Sequence, residues 1–166
     1  MKIVVCAKII NGEINPFDAC ALEAALGIEN AEITLLTMGA PSVENALLRL
    51  SRLNVSRVVL LTDKCLARSD TLVTGRALAL AIKRISPDLV LCGRQSIDGD
   101  TAQVGPCLSQ MLGFGLITNV MEILSLGSAA VCKTRLSETE EAAMPAVLTL
   151  ERINTLRFPS LRSKPK

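Results

Sequence analysis

One loop of the sequence combines glycine, arginine and aspartate in a way that suits a phosphorylated ligand. The loop is Gly93-Arg94-Gln95-Ser96-Ile97-Asp98-Gly99-Asp100-Thr101-Ala102-Gln103-Val104, and it lies between an apolar run and a helical pattern. Glycines let a backbone approach a ligand closely, and free N–H groups near a helix start favour phosphate. Arg94 adds a permanent positive charge, while Asp98 and Asp100 can accept hydrogen bonds from ribose hydroxyls or an adenine amino group. The loop is neither a P-loop nor a G-x-G-x-x-G motif, so an ordinary turn with a capping aspartate is the alternative.

A second segment, Asn15-Pro16-Phe17-Asp18, opens the first predicted helix. A proline turn followed by an N-cap accounts for Pro16 and Asp18 without any ligand. The functional alternative is that the backbone of this segment lines the same crevice as the loop after residue 92. The residues by themselves leave both interpretations open.

The composition excludes several kinds of chemistry. The sequence has no histidine, which removes Ser-His and Cys-His nucleophiles, a histidine base and histidine metal sites. Its 6 cysteines form no C-x-x-C pair and no metal-ligand cluster, so we expect buried free thiols in a reducing compartment. A net charge of +2 and 2% aromatic residues argue against nucleic-acid binding.

Short apolar runs alternate with helical patterns along the chain. The runs are 3–6, 33–36, 58–61, 89–92 and 147–150, and helices are predicted over 18–26, 43–53, 70–85 and 107–112, followed by a strand-rich end. Continuous apolar strands indicate a sheet buried on both faces. We therefore predict an α/β fold with an open, mostly parallel sheet and helices on both faces. Ligands in such sheets bind beyond the carboxyl ends of the strands, which points to the segments after residues 6, 36, 61 and 92.

The sequence predicts one nucleotide-binding domain over residues 1–154 and a basic, proline-punctuated tail over 155–166. No uninterrupted apolar stretch reaches 18 residues, so no membrane insertion is expected. The first residues run directly into a strand-like stretch without a signal-peptide pattern, and a cytoplasmic protein is therefore expected.

Six segments, in this order, carry a family resemblance across essentially the whole chain. They are 1–8 (MKIVVCAK), 15–19 (NPFDA), 37–39 (TMG), 69–72 (SDTL), 88–100 (DLVLCGRQSIDGD) and 144–147 (MPAV). The sequence resembles the beta subunit of an electron transfer flavoprotein, of the bacterial type. The segment from Asp88 to Pro106 is the most specific part of the resemblance.

The resemblance implies an α/β domain of the adenine nucleotide alpha-hydrolase type that pairs with an alpha subunit carrying most of the electron-transferring FAD. The beta subunit would bind AMP or, in electron-bifurcating members, a second FAD, and with its partner would carry electrons from client dehydrogenases to an acceptor. By the same resemblance, the cofactor site comprises Cys6, Asn15, Pro16, Phe17, Asp18, Met38, Gly93, Arg94, Gln95, Ser96, Ile97, Asp98, Gly99, Asp100, Thr101, Ala102, Gln103 and Val104. The flavin would supply the redox chemistry, so no catalytic residue and no metal ligand is predicted.

The segment Arg157-Phe158-Pro159-Ser160-Leu161 resembles the start of the family's recognition loop, whose leucine binds the client dehydrogenase. The resemblance therefore assigns partner binding to Leu161; the alternative is a disordered basic tail. The sequence departs from the family in the short segment between Lys8 and Asn15, in Asn154-Thr155-Leu156-Arg157, and in ending before the C-terminal arm typical of the family.

Two other functions are compatible with the predicted sheet. A nucleotide-sensing module of the universal-stress type would need no flavin partner. An adenylating enzyme of the related hydrolase class is the weaker hypothesis, since the sequence lacks a glycine-serine loop that would bind pyrophosphate.

Overall fold

The computed structural model describes residues 1–136, 138–160 and 162–165. The strands are β1 (Lys2–Cys6), β2 (Ile9–Ile10), β3 (Glu13–Ile14), β4 (Glu32–Met38), β5 (Arg57–Leu61), β6 (Leu89–Gly93), β7 (Gly115–Leu126), β8 (Ala129–Thr134), β9 (Thr139–Ala143) and β10 (Ala146–Leu150). The helices are α1 (Pro16–Leu26), α2 (Glu44–Leu50), α3 (Thr71–Ile85) and α4 (Val104–Leu112), with 3-10 turns at Pro41–Val43 and Lys64–Leu66.

Eight strands form one sheet in the order β5-β4-β1-β6-β10-β7-β8-β9. The first six in this order pair in parallel, and β8 and β9 extend the sheet in antiparallel fashion. The predicted open, mostly parallel sheet is therefore confirmed. From β1 the chain moves outward to β4 and β5 and then crosses to β6 on the other side of β1. The strand order thus reverses between β1 and β6, the position where ligands bind in sheets of this type.

Helices cover both faces of the parallel part of the sheet, as predicted. On one face, α1 and α2 bury Leu22 and Leu47 against side chains such as Val5 of β1. On the other face, Ile82 of α3 and Leu108 of α4 pack on the alternate residues of the same strands. Because β1, β6 and β10 are covered on both sides, almost all of their residues are buried, which explains their continuous apolar runs.

Three elements differ in detail from the prediction. The pattern over 43–53 forms a 3-10 turn followed by the shorter helix α2, and the helix predicted at 107–112 begins at Val104. The short segment after Lys8 folds as the small hairpin of β2 and β3. Its turn residues Asn11 and Gly12 both have positive φ, 51° and 81°, which is the backbone that two-residue hairpins require.

The cysteines are free thiols, and the predicted burial is confirmed for Cys6, Cys20, Cys92 and Cys132. It is wrong for Cys65, which is exposed, and for Cys107, which is half-buried. Among the described residues, no helix is both long and apolar enough to cross a membrane.

Candidate functional site

The carboxyl ends of three neighbouring strands bring most of the predicted site segments together. Cys6 at the end of β1 lies in register with Leu36 of β4 on one side and with Cys92 of β6 on the other. The chain segments that follow, at Lys8, Met38 and Gly93, therefore leave the sheet along one edge. This edge includes the switch point between β1 and β6. The parallel sheet thus gathers residues separated by most of the chain.

Asn15 and Asp18 connect the start of α1 to this edge. The amide Nδ2 of Asn15 donates to the carbonyl of Gln95 (2.9 Å), and its Oδ1 accepts from the N–H of Ile97 (3.3 Å). The carboxylate of Asp18 accepts from the N–H of Lys8 and from that of Gly93, each at 2.8 Å. These two side chains therefore hold the ends of β1 and β6 and the loop after β6 in fixed positions.

The interpretation of Asp18 as a helix cap, one of the two left open by the sequence, is wrong. Asn15 occupies the N-cap position without a side-chain capping bond, and Pro16 is the first helical residue. Asp18 is the third residue of the helix, within its first turn, and its oxygens accept from N–H groups at strand ends rather than from the helix's own N–H groups. Burial raises the pKa of Asp18 to about 6, and the hydrogen bonds from Lys8, Asn15 and Gly93 oppose this shift.

Gly93 allows α1 to approach β6 closely. A Cβ at this position would lie 2.5 Å from both Oδ1 of Asp18 and Cβ of Phe17. Gly105, the second residue of α4, similarly faces Thr149 and Cys92 without room for a side chain. Helix–strand packing accounts for both glycines. Gly99, in contrast, meets only Oγ of Ser96 at 3.4 Å, so open space surrounds the outer part of the loop.

Lys8 was not among the predicted site residues, yet it lies at the centre of this edge. Its Nζ lies 2.6 Å from Oδ2 and 2.8 Å from Oδ1 of Asp98. Hydrogen bonding to Lys8 is the main cause that lowers the pKa of Asp98, and Ser96 and the N–H of Gly99 add to it. Lys8 could have been identified from the sequence, because it is a cation two residues after β1, a strand that ends at the switch point.

Arg94 is directed toward Glu151, a residue that sequence reasoning missed. Its Nε lies 3.1 Å from Oε1 of Glu151, and its guanidinium lies 5.2 Å from the ring centre of Phe17. Arg135 approaches the same carboxylate oxygen at 3.8 Å. Glu151 is buried at the end of β10, and within the described chain neither Nε of Arg94 nor Oε1 of Glu151 makes a hydrogen bond.

The rest of the loop carries exposed polar groups up to the start of α4. Residues 97–101 and Gln103 are exposed, and Asp100 and Ala102 adopt positive φ angles of 49° and 54°. Gln103 is the N-cap of α4, and its side chain makes no capping hydrogen bond. The side chain of Gln103 therefore accepts no hydrogen bond from the first-turn N–H groups of α4, such as those of Val104 and Gly105. N–H groups at a helix start favour an anion.

Other predicted site residues differ in how far their side chains are buried. Cys6 is buried, which raises the pKa of its thiol above the ordinary range, so it acts as packing rather than as a reactive group. Met38 is half-buried at the end of β4. Leu161, the predicted partner-binding residue, lies outside the described residues.

The donor set fits a phosphate group. The uncapped start of α4, the ammonium group of Lys8 and the open loop around Gly99 lie at the same edge, and Asp100 can accept from hydroxyl or amino groups. A cavity of about 390 Å³ lies elsewhere, between α1 and β7, and is lined by residues such as Cys20, Ile123 and Asn154. None of its lining residues belongs to the predicted nucleotide site.

The fold and the site together define a class of protein: a mostly parallel α/β domain whose sheet has an edge suited to phosphate at its switch point. The family model of the electron transfer flavoprotein domain matches residues 3–158, so the chain belongs to that family. It is 49% identical over 124 residues to Protein FixA of Bradyrhizobium diazoefficiens (70% of this chain, 43% of the relative). It is 42% identical to Protein FixA of Azorhizobium caulinodans over 159 residues (87% and 57%).

A third relative is named electron transfer flavoprotein subunit beta, from Megasphaera elsdenii. It is 40% identical over 167 residues, which cover 92% of this chain and 62% of the relative. The chain therefore spans about half the length of the curated relatives it matches. These similarities favour electron transfer over the universal-stress alternative.

Proposed function

We propose that this chain is the nucleotide-binding part of an electron transfer flavoprotein beta subunit. The observation that carries the proposal is the convergence of Lys8, the loop 93–103 and the start of α4 at the switch point of the sheet. Family membership supports an electron-transfer role, and the lysine and the helix start at this edge suit the phosphate of a nucleotide cofactor.

The nucleotide is AMP or FAD, held by its phosphate at the start of α4 and at Lys8. Asp98 and Asp100 would accept hydrogen bonds from the ribose or the base. Cys6, Met38 and the segment 15–18 would form the surroundings of the site, with Asn15 and Asp18 fixing its backbone. A bound flavin would supply the one- and two-electron chemistry, and the protein groups would position it.

The partner would be an electron transfer flavoprotein alpha subunit that carries the electron-transferring FAD. The electrons would come from a client dehydrogenase in the cytoplasm, and the tail beginning near residue 155 would face that client. The names of the relatives support this role, since FixA and the Megasphaera subunit match most of the present chain.

The proposal is tested by identifying the ligand that purifies with the protein. The protein is denatured, the released molecule is identified by mass, and AMP and FAD are then titrated by calorimetry. We expect one of the two to bind, and Lys8→Ala with Asp98→Ala, which removes an exposed ion pair, to weaken binding without lowering the melting temperature by more than a few degrees. Lys133→Ala, an exposed change far from the edge, serves as control. Full binding by the double variant, or no binding by the original protein, would contradict the proposed site.

A further inference from the structure

A second cavity lies at the amino ends of the strands, opposite the proposed nucleotide site. Its volume is about 180 Å³, and its lining comes from the starts of β1, β4 and β5 and from the end of α3. These strands are parallel, so their amino ends lie together at one side of the sheet. The amino-end cavity, as we call it, shares no lining residue with the loop 93–103 or with α4.

Three cations line the amino-end cavity. Lys2 begins β1, Arg57 begins β5, and Arg84 lies in the last turn of α3. Side chains alternate along a strand, so Lys2 and Arg57 lie on the same sheet face as Val4 and Val59, which is the face that packs with α3. Within the described chain, none of the three cationic side chains makes an ion pair or a hydrogen bond. Their positive charges are therefore available to an anion.

Thr34 adds a buried polar group to the lining. It is 4% exposed and lies between Val4 of β1 and Arg57 of β5, with which it is in register. Its hydroxyl has no hydrogen-bond partner in the described part of the chain. A buried hydroxyl without a partner is unfavourable, and an oxygen of a ligand in this cavity would accept its hydrogen bond. The cavity thus combines exposed cations with a buried donor.

The charge and the size of the cavity indicate the kind of ligand. Its lining holds three cations and one carboxylate, that of Glu32, which leaves a formal charge of +2. A phosphate group carries about two negative charges near neutral pH, and guanidinium groups bind its oxygens through paired N–H donors. Sites for whole drug-sized molecules have volumes of about 300–1,000 Å³, so the smaller amino-end cavity suits a phosphate group but not a complete nucleotide.

An acidic protein surface is a less suitable occupant. Its carboxylates would contact the exposed side chains of Lys2, Arg57 and Arg84. The hydroxyl of Thr34 would stay without a partner, because a broad surface does not enter a small cavity. Only a small anion uses both the cations and the buried donor.

We propose that the amino-end cavity is a binding site for a phosphate group, either inorganic phosphate or the phosphate of a small monoester. Lys2, Arg57 and Arg84 bind the phosphate oxygens, and Thr34 donates a hydrogen bond to one of them. Glu32 repels the anion and limits the affinity. The site does not depend on the proposed function, because the nucleotide would bind at the opposite ends of the same strands.

The site is tested by titrating inorganic phosphate into the ¹⁵N-labelled protein and following the amide resonances by NMR, with sodium chloride added to keep the ionic strength constant. We expect saturable shifts at Lys2, Thr34 and Arg57. Phosphate at the proposed nucleotide site would instead shift amides such as that of Gly105, and Lys8→Met should abolish those shifts alone. A second titration with glycerol 3-phosphate distinguishes the two sources, because a monoester site binds it more tightly than inorganic phosphate.

Charge variants test which cations bind the phosphate. Arg57→Met and Arg84→Met should each weaken phosphate binding about tenfold or more, because charge-assisted hydrogen bonds are lost. Lys83→Met is the matched control, since it removes an exposed cation from the same helical turn as Arg84 but does not line the cavity. Glu32→Gln should strengthen binding about two- to fivefold by removing the repulsion.

Thr34→Val tests the buried donor, because valine has the same shape without the hydroxyl. It should weaken phosphate binding about threefold to tenfold without lowering the melting temperature, since the hydroxyl has no partner to lose. An unchanged affinity would mean that phosphate stays on the surface cations, which would overturn the cavity site. Shifts that follow ionic strength alone, saturable shifts only at α4, or equal affinities of Arg84→Met and Lys83→Met would overturn it as well.

Discussion

The ammonium nitrogen of Lys8 lies 2.6 Å from Oδ2 of Asp98, so an ion pair joins the end of β1 to the loop after β6. The two side chains are about half exposed, at 47% and 45%. An exposed pair of this kind contributes little to folding stability. Its charges are therefore available to a ligand, and a phosphate at this edge would compete with Asp98 for Lys8.

Lys8→Met should weaken AMP or FAD binding by about tenfold, because one charge-assisted hydrogen bond to phosphate is lost. The melting temperature should hardly change. Calorimetric titration measures the affinity, and Lys2→Met is the matched control because Lys2 lies at the opposite end of the same strand. Equal affinities for the two variants would show that Lys8 takes no part in binding.

The buried carboxyl of Asp18 should make stability depend on pH. Its folded-state pKa of about 6 lies above the ordinary value of 3.8, so the folded protein binds this proton more tightly than the unfolded chain. The associated stability is complete below about pH 4 and is lost as pH rises through about 6; the shift corresponds to about 3 kcal/mol. Urea denaturation of the original protein and of Asp18→Asn, between pH 4 and 7, measures it.

The comparison uses the difference between the two proteins, because other carboxyl groups titrate equally in both. The original protein should lose stability relative to Asp18→Asn as the pH rises. A difference that stays constant across this range would mean that Asp18 has an ordinary pKa.

Gly93→Ala should lower the free energy of unfolding by about 1–3 kcal/mol, since the added Cβ would overlap with Phe17 and Asp18. Gly127→Ala is the control, because a Cβ there meets no atom within 4 Å. It should stay within about 0.5 kcal/mol of the original protein in urea denaturation. Similar stabilities for the two variants would argue against close packing of α1 on β6.

Arg94 and Glu151 should be energetically coupled. Glu151→Ala leaves the guanidinium of Arg94 without its nearest counter-charge, while the double variant with Arg94→Ala removes both charges. We expect the double variant to lose less stability than the two single losses added together, by about 1 kcal/mol. Arg152→Ala removes the charge of an exposed neighbour and is the control for a general effect of charge. Strictly additive stability losses at positions 94 and 151 would show that the two side chains are not energetically coupled.

Local patterns predicted the central sheet because β1, β6 and β10 are buried on both faces, which requires continuous apolar runs. The start of α3 was also predictable: Asp70 accepts from the N–H of Val73, as a capping residue should. The last strands before β10, namely β7, β8 and β9, carry mixed exposed and buried residues, so no continuous run identified them individually.

The partners of Asp18 and Arg94 could not be read from local sequence. Asp18 near a helix start has the same pattern whether it caps that helix or binds distant strand ends, and its partner Gly93 lies 75 residues away. Glu151 belongs to no motif, and only the pairing of β10 with β6 brings it beside Arg94. Tertiary contacts between remote segments thus determine what these charged side chains do.

At one end of the sheet, strand β9 has no neighbouring strand on its outer side among the residues that the structure describes. Glu140 and Glu141 are both exposed on this strand. If two molecules approached each other with their β9 edges, the carboxylates of Glu140 and Glu141 in one molecule would lie close to those in the other. Their negative charges would then repel each other. The acidic border therefore protects the molecule against open-ended strand addition and favours a finite sheet over aggregation.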